Sequence, residues 1–188
     1  MALRIKFEMD RKGITVPYPR LFDKIRSNHG FRDLRGRPDA AAAIIEGLAS
    51  PALHEFLIDL ASPNAPLFSL GCDLGAHREK RGPKRLREVA GGYLQVICAR
   101  YGDNGPEDYR RYGEAAAALM MRAVVKDEWK ISLVLTAVQL NLDGFNGLVP
   151  SLWIWFWAHG LATEQAIASR ERLIASLGQA LLRHDVVR

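Results

Sequence analysis

The opening residues alternate. In "LRIKFEM", Leu3, Ile5, Phe7 and Met9 fall on one side and Arg4, Lys6 and Glu8 on the other, the period of a half-buried strand. "DRKG" reads as a turn, and "ITVPYP" as a strand pairing back, limited to an edge by Pro17 and Pro19. "PRLFDKIRSNHG" predicts a short helix from Pro19 to a stop at Gly30, with a charged loop up to Pro38. Asp39 is an N-cap candidate for a helix through "AAAAIIEGLA". Ser50-Pro51 then offers an N-cap and a first-turn proline to "ALHEFLIDLA", whose Leu53, Phe56, Leu57 and Leu60 form one stripe.

Two further alternating runs, "LFSLGCDLGAHRE" and "RLREVAGGYLQVICARY", flank the tip "KRGPK" and predict a long hairpin. With the turn near Gly82-Pro83, Phe68, Leu70, Cys72, Leu74, Val89, Tyr93 and Ile97 share one face. Ser69, Gly71, Asp73, Gly75, Ala90 and Gly92 share the other. A one-residue slip would scramble that grouping. A helix follows, opening at Pro106 with Glu107 and Asp108 at its positive end. Tyr109, Tyr112, Ala116, Leu119, Met120 and Ala123 are its buried stripe. "EWKISLVLTAVQLNLDGFNGLVPSLWIWFWAHG" predicts a second hairpin around "DGFNG". The last helix has Thr163 as its cap and Ile167, Ile174, Leu177 and Leu181 as its stripe.

This order predicts one α+β domain over 1–188. Its antiparallel sheet is built from two long β-hairpins plus an N-terminal strand or hairpin, and its helices pack mainly on one face. Residues 1–37 are a possible basic appendage.

Within the last hairpin, Trp153, Trp155 and Trp157 recur every second residue, on the side of Val134, Thr136, Val138 and Leu140. The opposite side, with Leu133, Leu135, Ala137, Ile154 and Phe156, is apolar as well. Such a strand needs cover on both faces, from helices, another subunit or a ligand. Three indoles left in water would invite aggregation, so the row is read as core or as a subunit interface, with a stacking platform as the third option.

The net charge of +5 arises entirely from residues 1–94, with 16 Lys/Arg against 11 Asp/Glu; residues 95–188 hold 10 of each. One basic cluster spans Arg20 to Arg37. The other, Arg78, Lys80, Arg81, Lys84, Arg85 and Arg87, crowds the first hairpin's tip and is a candidate polyanion or nucleic-acid contact. Two cysteines build no disulfide framework, and no apolar run reaches the roughly 20 residues of a membrane span, so a cytoplasmic setting is expected.

Catalytic and metal signatures are missing from the chain. The five histidines have no ligand spacing, "LHEFLID" has no second histidine, and neither a glycine-lysine phosphate loop nor a nucleophile elbow occurs; no metal or cofactor is expected. In "CDLGAH", Cys72 and Asp73 point to opposite strand faces and His77 lies roughly 13 Å beyond Asp73. "PEDYRRYGEAAAALMMRAV" resembles the coenzyme-A pyrophosphate loop of the GCN5-related acetyltransferase family, with Arg110, Gly113 and Ala115 filling its pattern. That resemblance implies backbone amides cradling phosphates at a helix start. Glu114 departs from it by placing a negative charge beside them. The reading of the residues themselves is a non-enzymatic binding or regulatory module that self-associates through an apolar sheet face.

Overall fold

The computed structural model describes residues 2–22, 27–80, 86–122 and 128–182. In chain order the elements are β1 (Ala2–Val16), β2 (Leu21–Phe22), β3 (Ser27–Asn28), α1 (Pro38–Ala42), α2 (Ile45–Leu48) and α3 (Pro51–Leu60). Then come β4 (Leu67–Lys80), β5 (Leu86–Cys98), α4 (Pro106–Arg122), β6 (Trp129–Leu142), β7 (Phe145–Gly160) and α5 (Thr163–Leu181). Five strands make one sheet in the order β1-β6-β7-β5-β4, while β2 and β3 pair separately.

The α+β class holds, and both predicted hairpins form. The sheet, however, is mixed rather than antiparallel throughout: β1 pairs with β6 in parallel, Leu3 opposite Ile131 and Phe7 opposite Leu135. The stretch "ITVPYP" does not pair back on "LRIKFEM" either. β1 runs through "DRKG" with two register shifts and continues to Val16 opposite Leu140. The unpaired outer edge of β6 accounts for this, because a strand that occupies it satisfies a whole row of backbone groups. The N-terminal stretch is thus an edge strand of the main sheet.

The β6–β7 turn is the two-residue Asp143-Gly144, both with positive φ, 53° and 78°. That geometry matches the twist of the flanking strands, and Asp-Gly is the pair that tolerates it. The resulting register sets Trp153 opposite Val134, Trp155 opposite Ser132 and Trp157 opposite Lys130. The other hairpin departs from expectation. Phe68 pairs with Ile97, but a register shift between Ser69 and Gly71 puts Asp73 opposite Tyr93 and Leu74 opposite Gly92. One extra residue on β4 turns every later side chain to the other side. Tyr93 therefore shares a face with Gly71, Asp73 and Gly75 rather than with Cys72 and Leu74.

One face of the sheet carries the main core. Leu94, Val96, Ile131, Leu133, Ile154 and Phe156 are buried there with residues of α3, α4 and α5. Ser50 caps α3 as expected, its hydroxyl accepting from the Leu53 amide at 3.2 Å, and Leu53, Phe56, Leu57 and Leu60 are all buried. Tyr109 of α4 is anchored at the core end of β5, where its hydroxyl oxygen accepts from the Cys98 amide at 2.7 Å.

Three local expectations change. Residues 19–22 and 27–30 are not helical and hold β2 and β3; 23–26 lie outside the described residues. The segment after Pro38 breaks into α1 and α2, and Asp39 lies in the first turn of α1 instead of capping it. In α5, Ala162 is the N-cap and Thr163 the first helical residue. Ile167 is 37% exposed, and Ala166 and Leu173 take its place in the buried stripe. Ala123 lies outside the described residues.

Candidate functional site

The second face of the sheet divides into a covered end and an open end. Toward the β6–β7 turn, Ile97, Val138 and Val149 follow the indole side by alternation and are buried. The segment after β3 reaches across this end. Arg35 binds Asp143 at 2.7 Å and Asp33 at 2.6 Å, and its guanidinium lies 4.7 Å from the centre of the Phe68 ring. Tyr101 bridges Phe68 and Phe145 edge-on, at 6.2 and 5.2 Å.

Beyond this cover, four rings form a ladder. Trp153 meets Trp155 edge-on at 5.4 Å, and Trp155 stacks on Trp157 at 6.3 Å. Tyr93 sits 5.6 Å from Trp153 and 5.1 Å from Trp155. The Lys130 ammonium lies 5.2 Å from the Trp157 ring, a cation–π contact at the margin. All three indoles are half-buried: they shield one another, and none of the described helices lies over them. The Trp153 Nε1 is itself buried and without a hydrogen-bond partner among the described residues. A polar chain separates the ladder from the covered end. Gln95 donates to Ser151 at 2.9 Å, and the Ser151 and Thr136 hydroxyls lie 3.0 Å apart. All three residues are buried.

At the free edge of β4 the ladder adjoins a cavity of about 460 Å³. Leu34, Leu57 and Leu70 floor it, Tyr18 and Tyr93 wall it, and Glu46, Asp73 and Arg32 stand at its rim. Tyr18 donates its hydroxyl to the Leu70 carbonyl at 2.8 Å. A Cβ on Gly71 would lie only 2.8 Å from that hydroxyl oxygen, so the glycine is what admits the phenol.

The chemistry of the cavity is that of protonated groups. Burial, reinforced by Glu46 and Asp73, pushes the Cys72 thiol up to about 12, where it stays protonated at neutral pH. Burial likewise pushes Tyr18 and Tyr93 up to about 12, with neighbouring Tyr93 acting on Tyr18 and Asp73 on Tyr93. The sign follows by linkage. Between pH 10 and pH 12 the unfolded chain has released these phenolic protons and the folded chain keeps them. Stability present in full below pH 10 is therefore lost as pH rises through 12. An alkaline titration of the Tyr101→Phe variant, whose remaining tyrosines are all pushed up by burial, is expected to show at 295 nm tyrosinate appearing together with loss of the far-ultraviolet signal. Tyrosinate formed near pH 10 with the fold intact would contradict it.

The other candidates are dispersed. Arg78 pairs with Glu88 at 2.6 Å and Arg87 pairs with Glu128. Lys80 lies opposite Leu86 in the ladder, and Arg81, Lys84 and Arg85 fall outside the described residues. Arg110 sits in the second turn of α4, paired with Glu114 at 3.0 Å and Glu107 at 3.6 Å. Gly113, buried against Leu133, and Ala115 lie further in, where amides serve the helix's own carbonyls. At the helix start itself, Asp108 already accepts from the Gly105 amide at 2.9 Å. Cys72 and Asp73 do point to opposite faces, and among the described residues no group of histidine, cysteine and acidic side chains is placed to hold a metal. No described helix is long and apolar enough to cross a membrane.

Sequence reasoning missed the cavity. Its lining comes from six separate segments, and the one with Tyr18 was read as a strand pairing back on the first. Compared with family models, curated proteins and solved structures, the chain matches none.

Proposed function

We propose that this chain is a non-enzymatic binding module that works as a pair of copies associated through the indole face of the sheet. The observation that carries the reading is the ladder of Tyr93, Trp153, Trp155 and Trp157, half-buried on the side opposite the helices. Aromatic residues in this density belong to the centres of interfaces, and a patch of them left in water is an aggregation hazard. Five strands at about 4.8 Å, over about five residues of strand length, give a patch of roughly 400 Å² per copy before side-chain relief is counted. The total of about 800 Å² for a pair lies below the range of standard-size interfaces and suits a weak, reversible association. The non-enzymatic half of the reading is supported by the cavity's thiol and phenols, all pushed toward their protonated forms, the reverse of what an activated nucleophile needs.

Sedimentation across protein concentration tests the proposal. The mass is expected to rise from the 21.0 kDa chain toward twice that value in the micromolar range. A single 21.0 kDa species persisting to millimolar concentration would end it.

A further inference from the structure

The three indoles of the ladder sit on β7, the middle strand of five, and the cross-strand row through its centre ends in opposite charges. One cross-strand row runs Arg4, Ser132, Trp155, Tyr93, Asp73, each residue opposite the next across β1, β6, β7, β5 and β4. Arg4 and Asp73 are both exposed, and neither is ion-paired with another described residue. The β1 side continues in Lys6, which is paired with Glu8 at 3.9 Å, and in Lys130 of β6; the β4 side adds Glu46 and Arg32 at the rim of the cavity.

A closed pair of identical chains needs a twofold axis, and two sheets meeting face to face can place it along the strands or across them. An axis across the strands lays β1 over β1 and β4 over β4, so Arg4 meets Arg4 and Asp73 meets Asp73. An axis along β7 lays the β1 margin of each copy over the β4 margin of the other. Trp155 then faces its own counterpart at the centre, and arginine meets aspartate at both ends. Like charges placed opposite each other are costly, and opposite charges set register and partner choice. Resting on the self-association proposed above, we infer that the copies pair about a twofold axis along β7. Arg4 of each copy closes over Asp73 at the mouth of the other's cavity. The cavity is complete only in the pair, with one wall rim supplied by the second chain.

Charge reversal tests the arrangement with the full chain. Arg4→Asp alone sets aspartate against aspartate twice, and Asp73→Arg alone sets arginine against arginine twice. Each is expected to weaken self-association by about tenfold or more in sedimentation. An equimolar mixture of the two variants is expected to pair as well as the unmodified chain, because every contact in the mixed pair is again between opposite charges. That recovery also shows that both variants fold. If the unmodified chain pairs and either single variant pairs equally well, or the mixture shows no recovery, the axis is wrong while self-association stands. If the unmodified chain does not pair at all, the underlying reading has failed and this inference with it.

Discussion

Trp155→Arg is expected to leave a folded chain that no longer pairs. Trp155 lies at the centre of the ladder, against Trp153 at 5.4 Å and Tyr93 at 5.1 Å, and on the twofold axis it meets its own counterpart. Each copy contributes one such anchor, so the substitution acts twice. Central tryptophans of interfaces cost about 2 kcal/mol or more on truncation. Two of them, with two guanidinium groups now facing each other, imply at least about 4 kcal/mol, or about a thousandfold in the dissociation constant. The fold tolerates the change because the core lies on the other side of the strand, where Ile154 and Phe156 are 0% and 1% exposed and remain untouched. Leu161→Arg is the control: Leu161 is 82% exposed but lies past the end of β7, away from the sheet face, and its substitution is expected to leave pairing unchanged. Equal loss in both variants would assign the effect to general solubility instead of the ladder.

Much of the frame was legible in local pattern, and what was not had a common cause. Alternation over Leu67–Lys80, Leu86–Cys98, Trp129–Leu142 and Phe145–Gly160 identified four of the five main strands, and alternation over Leu3–Met9 the first half of the fifth. It also placed the three indoles on one side, because side-chain period is a purely local property. The parallel partner of β1 is set by which edge remains free after the hairpins close, and no residue of β1 encodes that choice. The shift between Ser69 and Gly71 is a single inserted residue, invisible in a run that alternates on both sides of it. It nevertheless moved Gly71 and Asp73 to the indole face, beside Tyr93, and so created the junction between ladder and cavity. "PRLFDKIRSNHG" has helical composition, but Tyr18 is held at the Leu70 carbonyl and Phe31 at the Tyr18 carbonyl, and these long-range ties override propensity. The cavity joins residues near 18, 32, 46, 57, 71 and 93; proximity of that kind is a property of the fold alone.

Glu171→Ala is expected to cost on the order of 3–5 kcal/mol of stability, the penalty for stranding a buried charge. The carboxylate, on α5, does three jobs at the start of α3. It accepts from the Ser50 hydroxyl at 2.8 Å, from the Ala52 amide at 3.1 Å, and from the Arg170 guanidinium at 2.9 Å. Ser50 is 0% and Arg170 6% exposed, so water cannot freely replace what is lost. The first amides of a helix have no partner within it, and a negative charge there answers both the unmet donors and the helix dipole. In a chain of this length such a loss lowers the melting temperature by roughly 6–20 °C. Glu171→Gln keeps an acceptor but not the charge, and is expected to fall between. Adding Arg170→Met to Glu171→Ala discriminates the cause: with the stranded guanidinium gone, part of the loss should return, whereas a pure capping effect would leave the double variant as unstable as the single. Urea unfolding reads all three through the midpoint. A loss below about 1 kcal/mol in Glu171→Ala would place the carboxylate among ordinary surface ion pairs, and the clamp between α3 and α5 would then rest on packing of Phe56 against Gly178.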